Sequence, residues 1–233
     1  MRVLTFLICA AVCAFSLHAA DSDDDDSPPV LNVPLLKGEA PKIDGLLDDA
    51  AWKDAAVGGE FRLKEGSKAR SKTRLSVTRD DKTLFIAVQC FEEPANIKKL
   101  HAGAKDHDQD NIWNDDSIEL FIDPTNKRVS YYQFIINAKG VVWDAFNTEP
   151  GKADKSWNPD VKIAAKAGVD SWNCEIAIPF AAFDRTDTMD SDWGFNVSRN
   201  RTAIGEGTFW SPVYSDVSHR PERFGKLTGM PKK

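Results

Sequence analysis

The feature that most narrows what this chain can become is a period of two. In "SIELFIDPTNKRVSYYQFIINAKGVVWDAF" (117–146), β-branched and aromatic residues alternate between two faces, broken only by turn chemistry at 124–128 and at Lys139-Gly140. Ile118, Leu120 and Ile122 share one parity. Ser117, Glu119 and Asp123 share the other, as do Trp113 and Asp115 just before the run, and Phe121 makes that second face mixed. In the next run Tyr132, Phe134 and Ile136 are the apolar set, while Tyr131, Gln133, Ile135 and Asn137 point the opposite way. Alternation of this kind specifies half-buried strands in a meander, one face on a core and one available for other work.

The same grammar recurs along the chain. "TRLSVTRDDKTLFIAVQCFEE" (73–93) reads as a hairpin turning at Asp80-Asp81-Lys82, and "VKIAAKAGVDSWNCEIAIPF" (161–180) as another about Gly168–Ser171. Further strands are expected over 192–202, 208–214 and 223–229, with longer loops at 101–116 and 147–160. Helix is scarce: 46–56 spaces Leu47, Ala51 and Trp52 on one face, and 179–186 opens on a tolerated Pro179. Many short strands and two short helices imply an all-β, antiparallel, jelly-roll-like β-sandwich.

Residues 1–20 have the order of a secretory signal peptide: Arg2, the apolar run Leu4–Leu17, then a small-residue end. That run is shorter than the roughly 20 apolar residues a membrane-spanning helix needs. The stretch "DSDDDDSPP" (21–29) follows as an acidic linker that cannot bury enough apolar surface to order itself. Residues 30–233 then form one domain. The formal charge is −6, and setting aside Arg2 and the five linker aspartates leaves −2, so the acidity belongs mostly to the tail. A nearly neutral domain has no electrostatic footprint for nucleic acid. Cys9 and Cys13 fall in the leader; Cys90 and Cys174 lie on apolar parities of two strands, either bridged or as buried thiols.

The usual nucleophile and phosphate-binding motifs are absent. Beyond the leader, His101, His107 and His219 have no i,i+4 ligand spacing, and Met189 and Met230 lack a partnering histidine, so no haem is expected and a haem-binding redox subunit on a related sandwich stands only as an alternative reading. Carboxylates crowd 106–123, but Asp116 and Glu119 sit three apart on a strand and face opposite ways. They cannot flank one glycosidic bond, so a glycoside hydrolase is the alternative reading and not the first. Asp106, Asp108 and Asp110 form an i, i+2, i+4 run, either a calcium site or a solvated acidic loop.

The seven tryptophans are the strongest compositional hint. Trp52, Trp172 and Trp193 have core positions to fill. Trp113 ends an acidic loop and Trp210 opens a long polar stretch, where an indole can stack on the C–H face of a pyranose ring while amides and carboxylates meet its hydroxyls. Pairing 117–123 with 131–137 puts Glu119, Gln133 and Asn137 on one face. Trp113 lies six residues from Glu119, roughly 20 Å along a straight strand, so the chain before Ser117 must fold back for the two to meet.

At "IDGLLDDAAW" (43–52), "TLFIAVQC" (83–90), "IWNDDSIELFIDP" (112–124), "YYQFIINAKG" (131–140), "WNCEIAIPF" (172–180), "WGFNVSRNR" (193–201), "FWSP" (209–212) and "RPERFGKL" (220–227), the chain resembles the family 9 carbohydrate-binding modules. The resemblance implies a β-sandwich with bound calcium and a non-catalytic site that holds glucans and xylans between two tryptophans. It assigns those roles to Trp113 and Trp210, and hydrogen bonding to Glu119. It also places a sugar-binding arginine where this chain has Ile135, so that either Arg199 or Arg201 on a neighbouring strand compensates or the ligand differs. A sandwich that kept the architecture and lost the sugar site is the bland alternative.

Overall fold

The computed structural model describes residues 26–233; the signal-peptide reading, with Cys9 and Cys13, lies outside the described residues. Among them, fourteen strands make two sheets. The larger runs in the order β1 (Val30–Asn32), β14 (Gly225–Thr228), β12 (Asp192–Arg201), β6 (Ser117–Asp123), β7 (Tyr131–Asn137), β8 (Val142–Asn147), β9 (Ala153–Asp154). Beside the far half of β12 lies β13 (Glu206–Phe209), and beyond it β3 (Arg62–Leu63). The smaller sheet is β10 (Lys162–Ala167), β11 (Ser171–Pro179), β5 (Thr83–Phe91), β4 (Thr73–Arg79), β2 (Ala56–Val57). The expected hairpins and meander are all present. Every paired neighbour is antiparallel except β1 with β14, a parallel edge pair that composition alone did not flag.

The core lies between the sheets. Ile118, Leu120 and Ile122 of β6, Tyr132, Phe134 and Ile136 of β7, and Phe195 and Val197 of β12 meet Ile86, Val88, Cys90, Cys174, Ile176 and Ile178 of the opposite sheet. Each set keeps a single parity, as half-buried strands require. Cys90 and Cys174 are both free thiols, not a bridge, and burial pushes each up, Cys90 to about 12. Trp172 and Trp193 are core side chains, as their sequence positions suggest.

Both expected helices shrink to single 3₁₀ turns, Ala50–Trp52 and Phe180–Ala182. The reason at 43–52 is tertiary. The buried Glu175 carboxylate on β11 accepts from the backbone N–H of Asp44 (3.0 Å) and Gly45 (2.7 Å) and from Trp52 Nε1 (2.8 Å). These charge-assisted bonds are worth about 1.5–3 kcal/mol each, whereas an isolated helix of this length is marginal. Gly45 sits at φ +81°, where a Cβ would lie 2.6 Å from Lys166 Cβ, so the turn needs a glycine. Among the described residues no helix is long and apolar enough to cross a membrane.

One end of the interface between the sheets holds a buried charge network. Arg199 Nη2 donates to Glu92 Oε1 (2.6 Å), and Arg201 donates from Nε to Glu92 Oε1 and from Nη2 to Glu92 Oε2 (both 2.7 Å). Arg201 Nη1 also donates to Glu206 Oε1 (2.7 Å). Burial alone would raise the Glu92 carboxyl, but the hydrogen bonds and charges of the two guanidiniums hold it below its ordinary value. Removing one partner from such a cluster strands charge in a dry interior. Glu92→Ala is therefore expected to cost about 3–5 kcal/mol in urea unfolding.

Candidate functional site

The outer face of the larger sheet carries the polar parity read from the sequence. Glu119 on β6 pairs with Ile135 on β7 and with Ser198 on β12, and Gln133 lies across from Ala145 on β8. A chain of hydrogen bonds crosses these strands. Asn147 Nδ2 donates to Gln133 Oε1 (2.7 Å), Gln133 Nε2 donates to Glu119 Oε1 (2.6 Å), and Ser198 Oγ donates to Glu119 Oε2 (3.2 Å). Gln133 and Asn147 are buried and Glu119 is half-buried. Desolvation lifts the Glu119 carboxyl to about 7, against the lowering effect of its bonds to Gln133, Ser198 and Ser218. Two buried polar atoms on this face, Trp143 Nε1 and Asn147 Oδ1, have no protein partner.

Loops flank this polar strip. On one side Ala104 and Ile112 pack on Ile135, Trp143 and Ala145. On the other, Phe224 packs against Phe121 and Tyr131, with centroids 5.3 and 5.4 Å apart, and Tyr131 Oη is 2.6 Å from His219 Nδ1.

Trp113 stands on the first of these loops, in a 3₁₀ turn (Ile112–Asn114) entered through a left-handed Asn111 at φ 74°. It is 49 % exposed, and the other exposed aromatic among the described residues, Tyr214, is already engaged with Asp26 and under Arg223. The fold-back that the sequence demanded is held by side chains. Asn200 Nδ2 donates to the carbonyls of Trp113 (3.1 Å) and Asp115 (2.8 Å), and Thr202 Oγ1 donates to that of Asn114 (2.8 Å). Asp115 accepts from the N–H of Gly103 and Ala104, and Asp116 from that of His101 and Thr202. The acidic run beside the indole is therefore mostly a set of backbone clasps. Asn137 belongs to the same scaffold. Its Nδ2 donates to Ala104 O and Asp115 Oδ2, and its Oδ1 accepts from Lys139 and Val141, which leaves no free group for a sugar hydroxyl.

Two residues expected at a sugar face point elsewhere. Trp210 is 3 % exposed, part of the main core, and packs edge-on to Phe195 at 5.6 Å. It fills the space that Gly225 leaves, where a Cβ would lie 2.5 Å from Trp210 Cζ3. A ring enclosed in this way offers no flat wall to a ligand, so it does not form a slot with Trp113. Arg199 has the inward parity of Phe195 and Val197 and is committed to Glu92, Thr73 and two carbonyls between the sheets. Ile135 stays on the outer face with no guanidinium in its place. The sequence reading missed Ser198, Asn147 and Trp143; the register of β12 against β6, some eighty residues apart, carries no local signal that would have found Ser198.

The acidic run at 106–110 does not converge. Asp106 and Asp110 are exposed, and Asp110 pairs with Lys155 at 3.3 Å. Asp108 turns instead toward His107 and Asp144. Calcium takes six to eight oxygens, and a set that includes an imidazole nitrogen does not fit it.

Residues 43–228 match the model of a family described as carbohydrate family 9 binding domain-like. Among curated proteins, no sequence matches the chain. Among solved structures, a Bacteroides uniformis protein provisionally ascribed carbohydrate binding superposes with a TM-score of 0.66 at 18% identity, covering 86% of this chain and 99% of its own. A family 9 carbohydrate-binding module from Caldicellulosiruptor kristjanssonii, in complex with cellotriose, gives 0.60 at 14% identity over 87% of this chain and 95% of its own. A module of that family from the same organism, in complex with glucose, gives 0.57 at 14% over 84% and 94%. At these identities the likeness concerns the fold.

The different settings of the two indoles have a measurable consequence. Trp210→Ala is expected to lower unfolding stability by about 3–5 kcal/mol, whereas Trp113→Ala should change it by no more than about 0.5 kcal/mol.

Proposed function

The chain belongs to the carbohydrate family 9 binding domain-like family, and from that premise we propose that it is an exported, non-catalytic module that seats a saccharide on the outer face of its larger sheet. One observation carries this reading: the turn that bears the exposed Trp113 is tied through its backbone carbonyl to β12, the strand whose Ser198 hydrogen-bonds the desolvated Glu119 carboxylate. The Asn200 side chain that holds Trp113 lies two residues along β12 from Ser198, about 7 Å, and Ser198 donates to Glu119.

In this arrangement the apolar face of a pyranose stacks on Trp113 and its hydroxyls donate to Glu119. Gln133 and Asn147 fix the orientation of that carboxylate. Stacking is one-sided, since Trp210 belongs to the core. The ligand class we favour is a β-glucan oligosaccharide, because the Caldicellulosiruptor modules hold cellotriose and glucose; xylan oligosaccharides come second. The groups that touch Glu119 are amide and hydroxyl, and Asp115 and Asp116 are bound into backbone turns. That environment suits a hydrogen-bond acceptor better than one half of a glycosidase carboxylate pair. Export rests on the N-terminal leader reading.

Isothermal titration with cellotriose and xylotriose tests the assignment. Trp113→Ala is expected to weaken binding of the preferred sugar by about 1–3 kcal/mol. Affinity should rise with pH through about 7, because ionised Glu119 is the better acceptor of hydroxyl donors and protonation below that value removes it. Glu119→Gln should bind more weakly and lose the pH dependence. A Trp113→Ala protein that binds every glucan and xylan oligosaccharide as tightly as wild type would overturn the proposal.

A further inference from the structure

A second constellation lies outside the polar strip, where the loop at 105–111 runs along the edge of β8. Asp144 has the inward parity of Val142 and Phe146, and its side chain is 1% exposed. One of its oxygens, Oδ2, is 2.9 Å from His107 Nε2; the other, Oδ1, is buried with no partner at all. Leaving a buried acceptor unsatisfied costs about 1–3 kcal/mol, and more for a charged group. Burial accordingly pushes the Asp144 carboxyl up to about 6.

Asp108 closes the group. Its backbone N–H donates to Val142 O (3.0 Å), its Oδ1 accepts from Asp144 N–H (3.2 Å), and its Oδ2 lies 3.4 Å from His107 Nδ1. One ligand atom from each of His107, Asp108 and Asp144 falls within 4.8 Å of the others. His107 is about half exposed, which leaves a path from solvent and freedom for its ring to turn.

We propose that His107, Asp108 and Asp144 form a site for a divalent transition-metal ion of the zinc class. One imidazole nitrogen and two carboxylate oxygens are a donor set such ions accept at about 2.0–2.2 Å, with water completing the shell. A cation there would give the buried Asp144 carboxylate a partner of opposite charge and offset the two like charges. Calcium prefers an all-oxygen shell, so the imidazole nitrogen favours the zinc class over it at this site. The site would pin the loop at 105–111 to β8 independently of any sugar.

The test uses the full chain, purified without a histidine tag and stripped with EDTA. Zinc chloride titrated by calorimetry should bind with one-to-one stoichiometry and raise Tm, and calcium chloride at the same concentrations should do neither. Cobalt chloride should give a ligand-field absorption band. His107→Gln changes an exposed side chain, so it should fold normally, weaken zinc binding at least about tenfold and abolish the cobalt band. Asp144→Asn should also lose zinc. Absence of zinc binding, zinc binding unchanged in His107→Gln, or calcium binding with the same stoichiometry would each overturn the assignment. Cellotriose titration of the metal-free protein reports on the sugar face separately, so failure of one assignment does not disguise failure of the other.

Discussion

Strand alternation in the larger sheet sets the terms for everything else. Because successive side chains point to opposite faces, placing Ile118, Leu120 and Ile122 on the core commits Glu119 to the outside, and placing Phe195 and Val197 on the core commits Arg199 to the inside. A slip of one residue would expose the aliphatic set and bury the polar strip. The register is therefore fixed by apolar burial worth about 1.5–3 kcal/mol per large side chain, summed over the whole inner face. The chemistry of the outer face is inherited from a decision made by the core.

The carboxylates divide into groups with different jobs. Asp115, Asp116 and Glu175 accept backbone N–H groups and clasp loops that have little secondary structure of their own. Glu92 is enclosed with two guanidiniums, where the desolvation of three charges is offset by short, paired hydrogen bonds. Glu119 and Asp144 differ from these. Both have carboxyls raised chiefly by desolvation, as Asp116 and Glu175 do, but their side chains clasp no backbone N–H and neither faces an arginine or lysine. Groups kept at such a cost are where ligand chemistry is most reasonably sought.

The two indoles make the same point for apolar surface. Trp113 and Trp210 are equivalent in composition, yet one is propped open by Asn200 and Thr202 while the other is enclosed by Phe195 and the gap at Gly225. A recognition face with one open ring holds a sugar from one side only. It depends correspondingly more on Glu119 and on the amides that orient it.

Much of this was legible in the chain. The alternating runs at 73–93, 117–146 and 161–180 determined the strands, their turns and which side of each is apolar, because those follow from local periodicity and turn chemistry. They also put Glu119 and Gln133 on a common face, and the spacing of Trp113 required a fold-back. Tertiary structure alone decided the parallel pairing of β1 with β14, the collapse of 46–56 to a single turn over Glu175, the inward setting of Trp210 and Arg199, the use of Asn137 as scaffold, and the meeting of His107 and Asp108 with Asp144. Each of these depends on contacts between segments that are not neighbours in the chain. A sequence records which groups a strand can present, whereas only the packed register records what they meet.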